Sequence, residues 1–264
     1  MPELPEVETV VRSLAPHVTG RTIRRVEIYA PRIRRGRVEQ AQGRRIAGVR
    51  RVGKFIVFDL EGGFLCVHLG MTGKLLLRSD SGDHTRARIQ LDRGEIFFDD
   101  PRMFGNIEFS PQLPHRVSCL GQDPLEISFE EFRALLRLRR GALKALLLNQ
   151  RFLRGVGNIY ADEALFRARL HPLEKADRLN KVRAQRLYDA LRQVLREAIA
   201  RGGSSVSDYV DADGRRGWFQ QLHCVYRRHG EPCPACGARI RRILVSQRGT
   251  HYCPRCQSQR RRAR

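Results

Sequence analysis

Acidic residues are scarce in this chain: 28 Asp and Glu stand against 50 Lys and Arg in 264 residues, a formal net charge of +22. A field of that sign attracts polyanions, and nucleic acid is the commonest one in a cell. A ribosome-associated protein, or the arginine bias of a GC-rich genome, would give the same balance. Long apolar runs are also lacking. No stretch approaches the roughly 18 uncharged apolar residues of a membrane span, so no membrane partner is expected. The N-terminus, MPELPEVETV, has no basic region followed by an apolar run, so no secretion signal is expected and the cytoplasm is the default compartment. Internal repeats are missing too. What is present is apolar material, 41% of the chain, enough for real cores despite the charge. The length suits one large domain or two ordinary ones.

The pattern along the chain predicts an α+β protein. Residues 5–15 read as an amphipathic helix, with Pro5 at its first position, Glu6 and Glu8 in the first turn, and Val7, Val10, Val11 and Leu14 on one face. From residue 22 to 109 short alternating or apolar runs follow, at 46–52, 55–60, 64–69, 75–78, 87–91, 96–98 and 106–109. Strands so many and so regularly broken indicate a β-sandwich or barrel-like core. Residues 121–127 read as a linker and 128–222 as a helical domain. Ser128 with Glu131 forms a capping box for a helix to about residue 139, and further helices are expected at 142–149, 159–168 and 180–200. Residues 204–217 read as a polar, mobile loop. The expected division is a catalytic β-sandwich domain at 1–120, the linker, the helical domain, a zinc finger at 223–258 and a basic tail at 259–264, with DNA in a cleft between the two main domains.

Cys233-Pro-Ala-Cys236 and Cys253-Pro-Arg-Cys256, sixteen residues apart, have the two-knuckle spacing of a tetrahedral zinc site. Four cysteines fill every ligand position, so a single Zn2+ there is structural, not catalytic. The intervening chain suits a hairpin, outward over 239–246, turning near Arg248-Gly249 and returning over 250–252. Between Arg239 and Arg264 there are nine arginines and no acid, a composition suited to DNA phosphates. A ribbon that merely joins two segments is the alternative. Cys66, Cys119 and Cys224 read as buried apolar thiols.

Initiator methionine is normally removed before proline, which leaves Pro2 with a free secondary amine. An α-amine has a reference pKa near 8, so a useful neutral fraction exists at neutral pH. Such an amine can attack a sugar C1′ and form an iminium, an electron sink for later eliminations. Glu3 beside it could move protons. A Pro-Glu start is also simply a rigid lead into a helix.

Five features in order carry more: PELPEVET, His68-Leu-Gly-Met-Thr-Gly73, Asp100-Pro-Arg-Met-Phe-Gly105, Gly155-Val-Gly-Asn-Ile-Tyr-Ala161 and the CxxC pair. Together, over nearly the whole chain, they resemble the formamidopyrimidine-DNA glycosylases, bacterial repair enzymes that remove 8-oxoguanine and ring-opened purines. The related endonuclease VIII type, which acts on oxidised pyrimidines, typically begins PEGPE. The resemblance implies a helix-two-turn-helix in the C-terminal domain and a bifunctional glycosylase and abasic-site lyase, acting as a monomer on duplex DNA with oxidised bases or abasic sites. It implies a catalytic set of Pro2 as nucleophile, Glu3 as general acid/base, Lys54 and Arg248, the last two reaching phosphates at the lesion. Glu6 and Glu163 would be supporting carboxylates. His68, Lys144, Asn158 and Tyr226 would contact DNA, and Met71, Arg102 and Phe104 would fill the gap left by a flipped nucleotide. Taken alone, Lys54 reads equally as a strand-end lysine, His68 as a core histidine, and Lys144, Tyr226 and Glu163 as surface charge, packing aromatic and helix-face acid. Met103 departs from the family pattern, where a second basic residue is common, and 204–217 corresponds to the loop over the damaged base. A non-catalytic zinc DNA-binding protein is the rival reading.

Overall fold

Helix α1 (Leu4–Val18) opens the chain, longer at both ends than the 5–15 expected from its apolar stripe. Its N-cap is Glu3, whose backbone N–H donates to Glu6 Oε2 at 2.7 Å. Val7, Val10, Val11 and Leu14 are all buried, each contributing about 1.5–3 kcal/mol from removal of apolar surface from water. Val18 is buried as well, and this extends the helix past Pro16. The computed structural model describes residues 1–78, 80–206 and 208–259; the basic tail expected at 259–264 lies, from 260 onward, outside the described residues.

The chain divides into two compact units. The first comprises Met1–Cys119 together with Ala198–Gln220. Its strands are β1 (Ile23–Ile28), β2 (Arg34–Arg35), β3 (Ile46–Val52), β4 (Phe55–Leu60), β5 (Gly63–His68), β6 (Lys74–Leu77), β7 (Thr85–Leu91), β8 (Glu95–Asp99) and β9 (Asn106–Ser110), followed by the short helix α2 (His115–Ser118). They form a four-stranded sheet in the order β1-β7-β8-β6 and a five-stranded sheet in the order β2-β9-β5-β4-β3. All neighbours are antiparallel except β2 and β9. Alternate residues of β7 are buried, so one face of that strand turns inward. One apolar cluster unites α1 with Ile56, Phe58, Leu65 and Val67 of one sheet and Ile89, Ile96 and Phe98 of the other. This is the expected sandwich.

The segment 198–220 was expected within the helical domain, but it packs into the first unit. Tyr209 and Ala212 lie in the sandwich core. Ala212 N donates to Ser13 Oγ (3.0 Å), and its carbonyl accepts from Leu77 N (2.9 Å) at the end of β6. The loop expected to be mobile is thus anchored at Tyr209 and Ala212 as well as at its base.

The second unit comprises Leu120–Glu197 and the chain from Gln221 onward. It holds α3 (Phe129–Arg137), α4 (Leu143–Leu148), α5 (Asn158–Arg167) and most of α6 (Lys181–Ala200). Ser128 Oγ accepts from Glu131 N and the Glu131 carboxylate from Ser128 N, the capping box expected at α3. Two turns link α4 to α5. They are held by the Gln150 amide, which donates to Val156 O and accepts from Gly155 N. The finger strands β10 (Arg241–Val245) and β11 (Arg248–Tyr252) pair in register, Val245 opposite Arg248. The turn is therefore Ser246-Gln247, both at positive φ, and not Arg248-Gly249. Two positive-φ residues suit the twist of a tight hairpin, whatever their identity. Gly249 serves close approach instead: a Cβ there would meet the Arg242 side chain at 2.8 Å.

Candidate functional site

In the first unit the expected nucleophile and its neighbour are both buried, Pro2 immediately before the cap and Glu3, 2% exposed, at it. With Met1 in place the Pro2 nitrogen is a tertiary amide. Glu6 ties this corner together. One oxygen accepts from Glu3 N, and the other accepts from Ser204 N at 2.7 Å. The Glu6 carbonyl accepts from Tyr209 Oη at 3.1 Å. Gly203, at φ +82°, lies so close that a Cβ would meet Glu6 Oε1 at 2.8 Å. The loop base and the cap of α1 thus share one carboxylate.

Lys54 sits in the turn between β3 and β4 and is 8% exposed, more enclosed than a solvated strand-end lysine. His68 closes β5, its ring 4.9 Å from that of Phe55. Gly70 N–H donates to His68 Nδ1 (3.1 Å), so the neutral ring carries its proton on Nε2. Burial, then the nearby Lys54 and Arg116 charges, lower its pKa from 6.5 to about 4. His68 is therefore a neutral donor at physiological pH, not a cation. The sign for stability follows. Above pH 6.5 the ring is neutral in both states, and as pH falls the unfolded chain takes up a proton that the native site resists. Stability should thus drop between pH 6.5 and 4, and His68→Gln should flatten that part of the curve in urea unfolding. Parallel curves for wild type and variant would rule this out.

Two loops of this unit carry Met71, Arg102 and Phe104, the residues expected to fill the gap left by a flipped nucleotide. Met71 and Phe104 are 40% and 44% exposed, unusual for large apolar side chains, and the Arg102 guanidinium stacks 4.7 Å from the Phe104 ring. Asp100, fully buried, holds the loops together: one oxygen accepts from Thr72 Oγ1 (2.6 Å), the other from Gly105 N (2.8 Å). Gly70 packs on the Phe104–Gly105 backbone, where a Cβ would lie 2.5 Å from Phe104 C and Gly105 N. Asp100 has no role assigned from sequence; its place at the head of Asp100-Pro-Arg-Met-Phe-Gly105 is the signal that points to it. Met103, at φ +53°, turns its side chain onto the sandwich core, which explains an apolar residue there.

The second unit gathers the remaining candidates. Asn158 begins α5, and its Nδ2 donates to Gly249 O in the finger (2.9 Å). Arg248 is exposed at the start of β11. Glu163 is fully buried and accepts from three successive N–H groups, those of Cys224, Val225 and Tyr226, at 2.8–3.0 Å. It thereby fixes the segment that carries Tyr226, and burial raises its pKa against the pull of those donors. Tyr226 stands edge-on to His223 and His251. Lys144 differs from expectation. Its side chain is fully buried, and Nζ donates to Asp162 Oδ1 (2.7 Å) and Asn158 O (2.8 Å). It cannot touch a phosphate without breaking a buried ion pair, a loss of about 3–5 kcal/mol.

The four finger cysteines offer sulfurs all within 4.8 Å of one another, with Cys236 to Cys253 at 3.4 Å and Cys233 to Cys256 at 3.9 Å. Tetrahedral zinc with Zn–S of about 2.3 Å requires S···S near 3.8 Å, so the cluster fits that ion. Cys66 is buried as expected, its thiol pushed up to about 12, but Cys119 and Cys224 are only half-buried.

The chain matches the models of the formamidopyrimidine-DNA glycosylase N-terminal domain over residues 1–107, the H2TH domain of the same enzymes over 120–210, and the zinc finger found in FPG and IleRS over 230–259. It is 57% identical to a formamidopyrimidine-DNA glycosylase of Solibacter usitatus over 97% of this chain and 99% of that one. Among solved structures, MutM (Fpg) from Thermus thermophilus superposes with a TM-score of 0.90 at 48% identity, covering 98% and 100% of the two chains. The wild-type Lactococcus lactis Fpg, solved with DNA containing N7-benzyl-Fapy-dG, gives 0.88 at 34% identity with the same coverage. The N-terminal proline and its carboxylates, the paired loops that carry Met71 and Phe104, the two-turn helix pair and the four-cysteine finger all fall inside these matches. The chain belongs to the formamidopyrimidine-DNA glycosylase family.

Proposed function

We propose that the protein excises oxidised purines, 8-oxoguanine and formamidopyrimidines, from duplex DNA and then cleaves the strand at the abasic sugar. The carrying observation is the corner where Pro2, Glu3 and Glu6 meet the base of the 198–220 segment. The free Pro2 nitrogen uses its lone pair to form a bond to C1′ as the glycosidic bond breaks, and the departing base takes up a proton. Glu3, adjacent and buried, exchanges protons with the sugar. The bound nitrogen then loses its N–H proton, and its lone pair expels O4′, which takes up a proton as the sugar ring opens to an iminium. The iminium accepts electrons as C2′ loses a proton and the 3′-phosphate departs, and the δ step expels the 5′-phosphate as a further sugar proton is lost. Glu6 holds the cap of α1 and the loop base in fixed relation, so both meet the lesion from a defined frame.

Phe104 and Met71 prop the opened stack, and Arg102 faces the orphaned base. His68 donates a hydrogen bond to phosphate and Lys54 supplies charge on the same unit, while Arg248 supplies charge to phosphate from the finger. Zinc, held by Cys233, Cys236, Cys253 and Cys256, keeps the hairpin folded and takes no part in the chemistry. Relatives solved with DNA containing carbocyclic 8-oxo-G or N7-benzyl-Fapy-dG support this substrate class. Borohydride reduction during turnover of an 8-oxoguanine duplex by the mature protein should trap a covalent complex through Pro2. A chain that cleaves the duplex with no trapped species would sink the mechanism.

A further inference from the structure

Asp162 lies on α5, buried completely, and each of its oxygens faces a different element. Oδ1 accepts from Lys144 on α4. Oδ2 accepts from the backbone N–H of His251 on β11 at 2.9 Å and lies 3.2 Å from the same residue's Nδ1. Two residues away on the strand, Gly249 O takes the Asn158 amide, while Lys144 Nζ also holds Asn158 O. One carboxylate therefore ties α4, the first turn of α5 and the return strand of the finger. A buried ion pair is weak grounds for stability, since an apolar pair of like volume usually serves as well. Directional acceptance from the hairpin backbone is what an apolar pair could not supply.

We propose that Asp162 is a positioning residue that locks the finger hairpin onto α5, so that Arg248 and the α5 N-terminus meet DNA phosphates as one surface. This rests on the reading that Arg248 contacts DNA. Arg248 opens the strand whose register the Asn158–Gly249 and Asp162–His251 bonds fix. Its long side chain is exposed, and its reach is set by where that strand sits.

Asp162→Asn keeps the volume and an acceptor for Lys144, but sets an amide donor against the His251 N–H. It also removes one negative charge, which by long-range electrostatics alone would tighten binding to a polyanion. The expected result is the opposite: affinity for a duplex bearing a tetrahydrofuran abasic analogue weakens roughly tenfold, the scale of one charge-assisted hydrogen bond. The salt dependence should fall toward that of Arg248→Ala, although the arginine is still present. In the Arg248→Ala background, Asp162→Asn should cost less than about twofold, because the two act through one contact. Equal fold-losses in both backgrounds would overturn the proposal and leave Asp162 as a packing residue. Should Asp162→Asn fail to fold, the double change Lys144→Met with Asp162→Leu keeps the buried volume while removing the acceptor for the His251 N–H, and the same non-additivity with Arg248→Ala is expected. If Arg248→Ala alone leaves affinity unchanged, the DNA-contact reading of Arg248 fails, and the positioning role with it.

Discussion

Protein that retains Met1, or carries any residue before Pro2, should neither release 8-oxoguanine nor cut an abasic strand. The acylated nitrogen has lost its lone pair to the peptide bond, so no bond to C1′ can form and no iminium exists to drive the eliminations. DNA binding should survive, because affinity comes from phosphate contacts elsewhere. Glu3→Gln separates the chemistry further. It keeps the amine and the shape of a buried side chain at the cap of α1 but cannot take or give a proton, so base release should slow roughly 100-fold or more. Checking each N-terminus by mass spectrometry before measuring strand cleavage and trapping makes the comparison decisive. Equal cleavage by blocked and mature protein would exclude Pro2 as the nucleophile.

Cys236→Ser or Cys253→Ser should release zinc and weaken DNA binding by roughly two orders of magnitude at physiological salt, as expected when two or three phosphate contacts are lost. The finger has little apolar material: among the described residues, the buried cluster beneath it joins two of its cysteines with Val225, Ile240 and Phe166, the last belonging to α5. A two-stranded hairpin of that size does not hold its fold in water without the metal. The sandwich has its own core and should keep its near-ultraviolet spectrum and its slow amide exchange. A zinc-free variant that still binds duplex tightly would show that the hairpin is not part of the grip.

Much of this arrangement is legible in the chain. The strands announce themselves by alternation, as in β7, and the finger by spacing alone. The misreadings have a common cause in contacts between residues far apart in sequence. Nothing local marks Ala212 as a partner of Ser13 and Leu77, so the segment around it read as a free loop. The sequence points to a hairpin turn near Arg248-Gly249, whereas Ser246 and Gln247 adopt the positive φ that makes the turn. Lys144 read as surface charge, although a single lysine in the apolar helix Leu143–Leu148 hints at a buried partner. Its acid, Asp162, lies on another helix and could not be matched to it from sequence.

The placement of 198–220 also governs how the protein can be made. Glu6 and Ser204 are 198 positions apart, and Ser13 and Ala212 are 199 apart, yet each pair belongs to one compact unit. On a ribosome the sandwich strands emerge first, but the residues that complete their core and cap the Glu6 carboxylate follow about 100 residues later. At about 5–20 residues per second, that is an interval of roughly 5–20 s in which the helical unit is synthesised while the first stands unfinished. A chain stopped near residue 120 is therefore an open sandwich, with Leu77 N–H and Glu6 Oε1 facing water and the places of Tyr209 and Ala212 empty. The segment that completes the frame around Pro2 ends at residue 220, so more than four-fifths of the chain must be translated before that frame is whole, and an arrested nascent chain holds its N-terminal proline on an unfinished support.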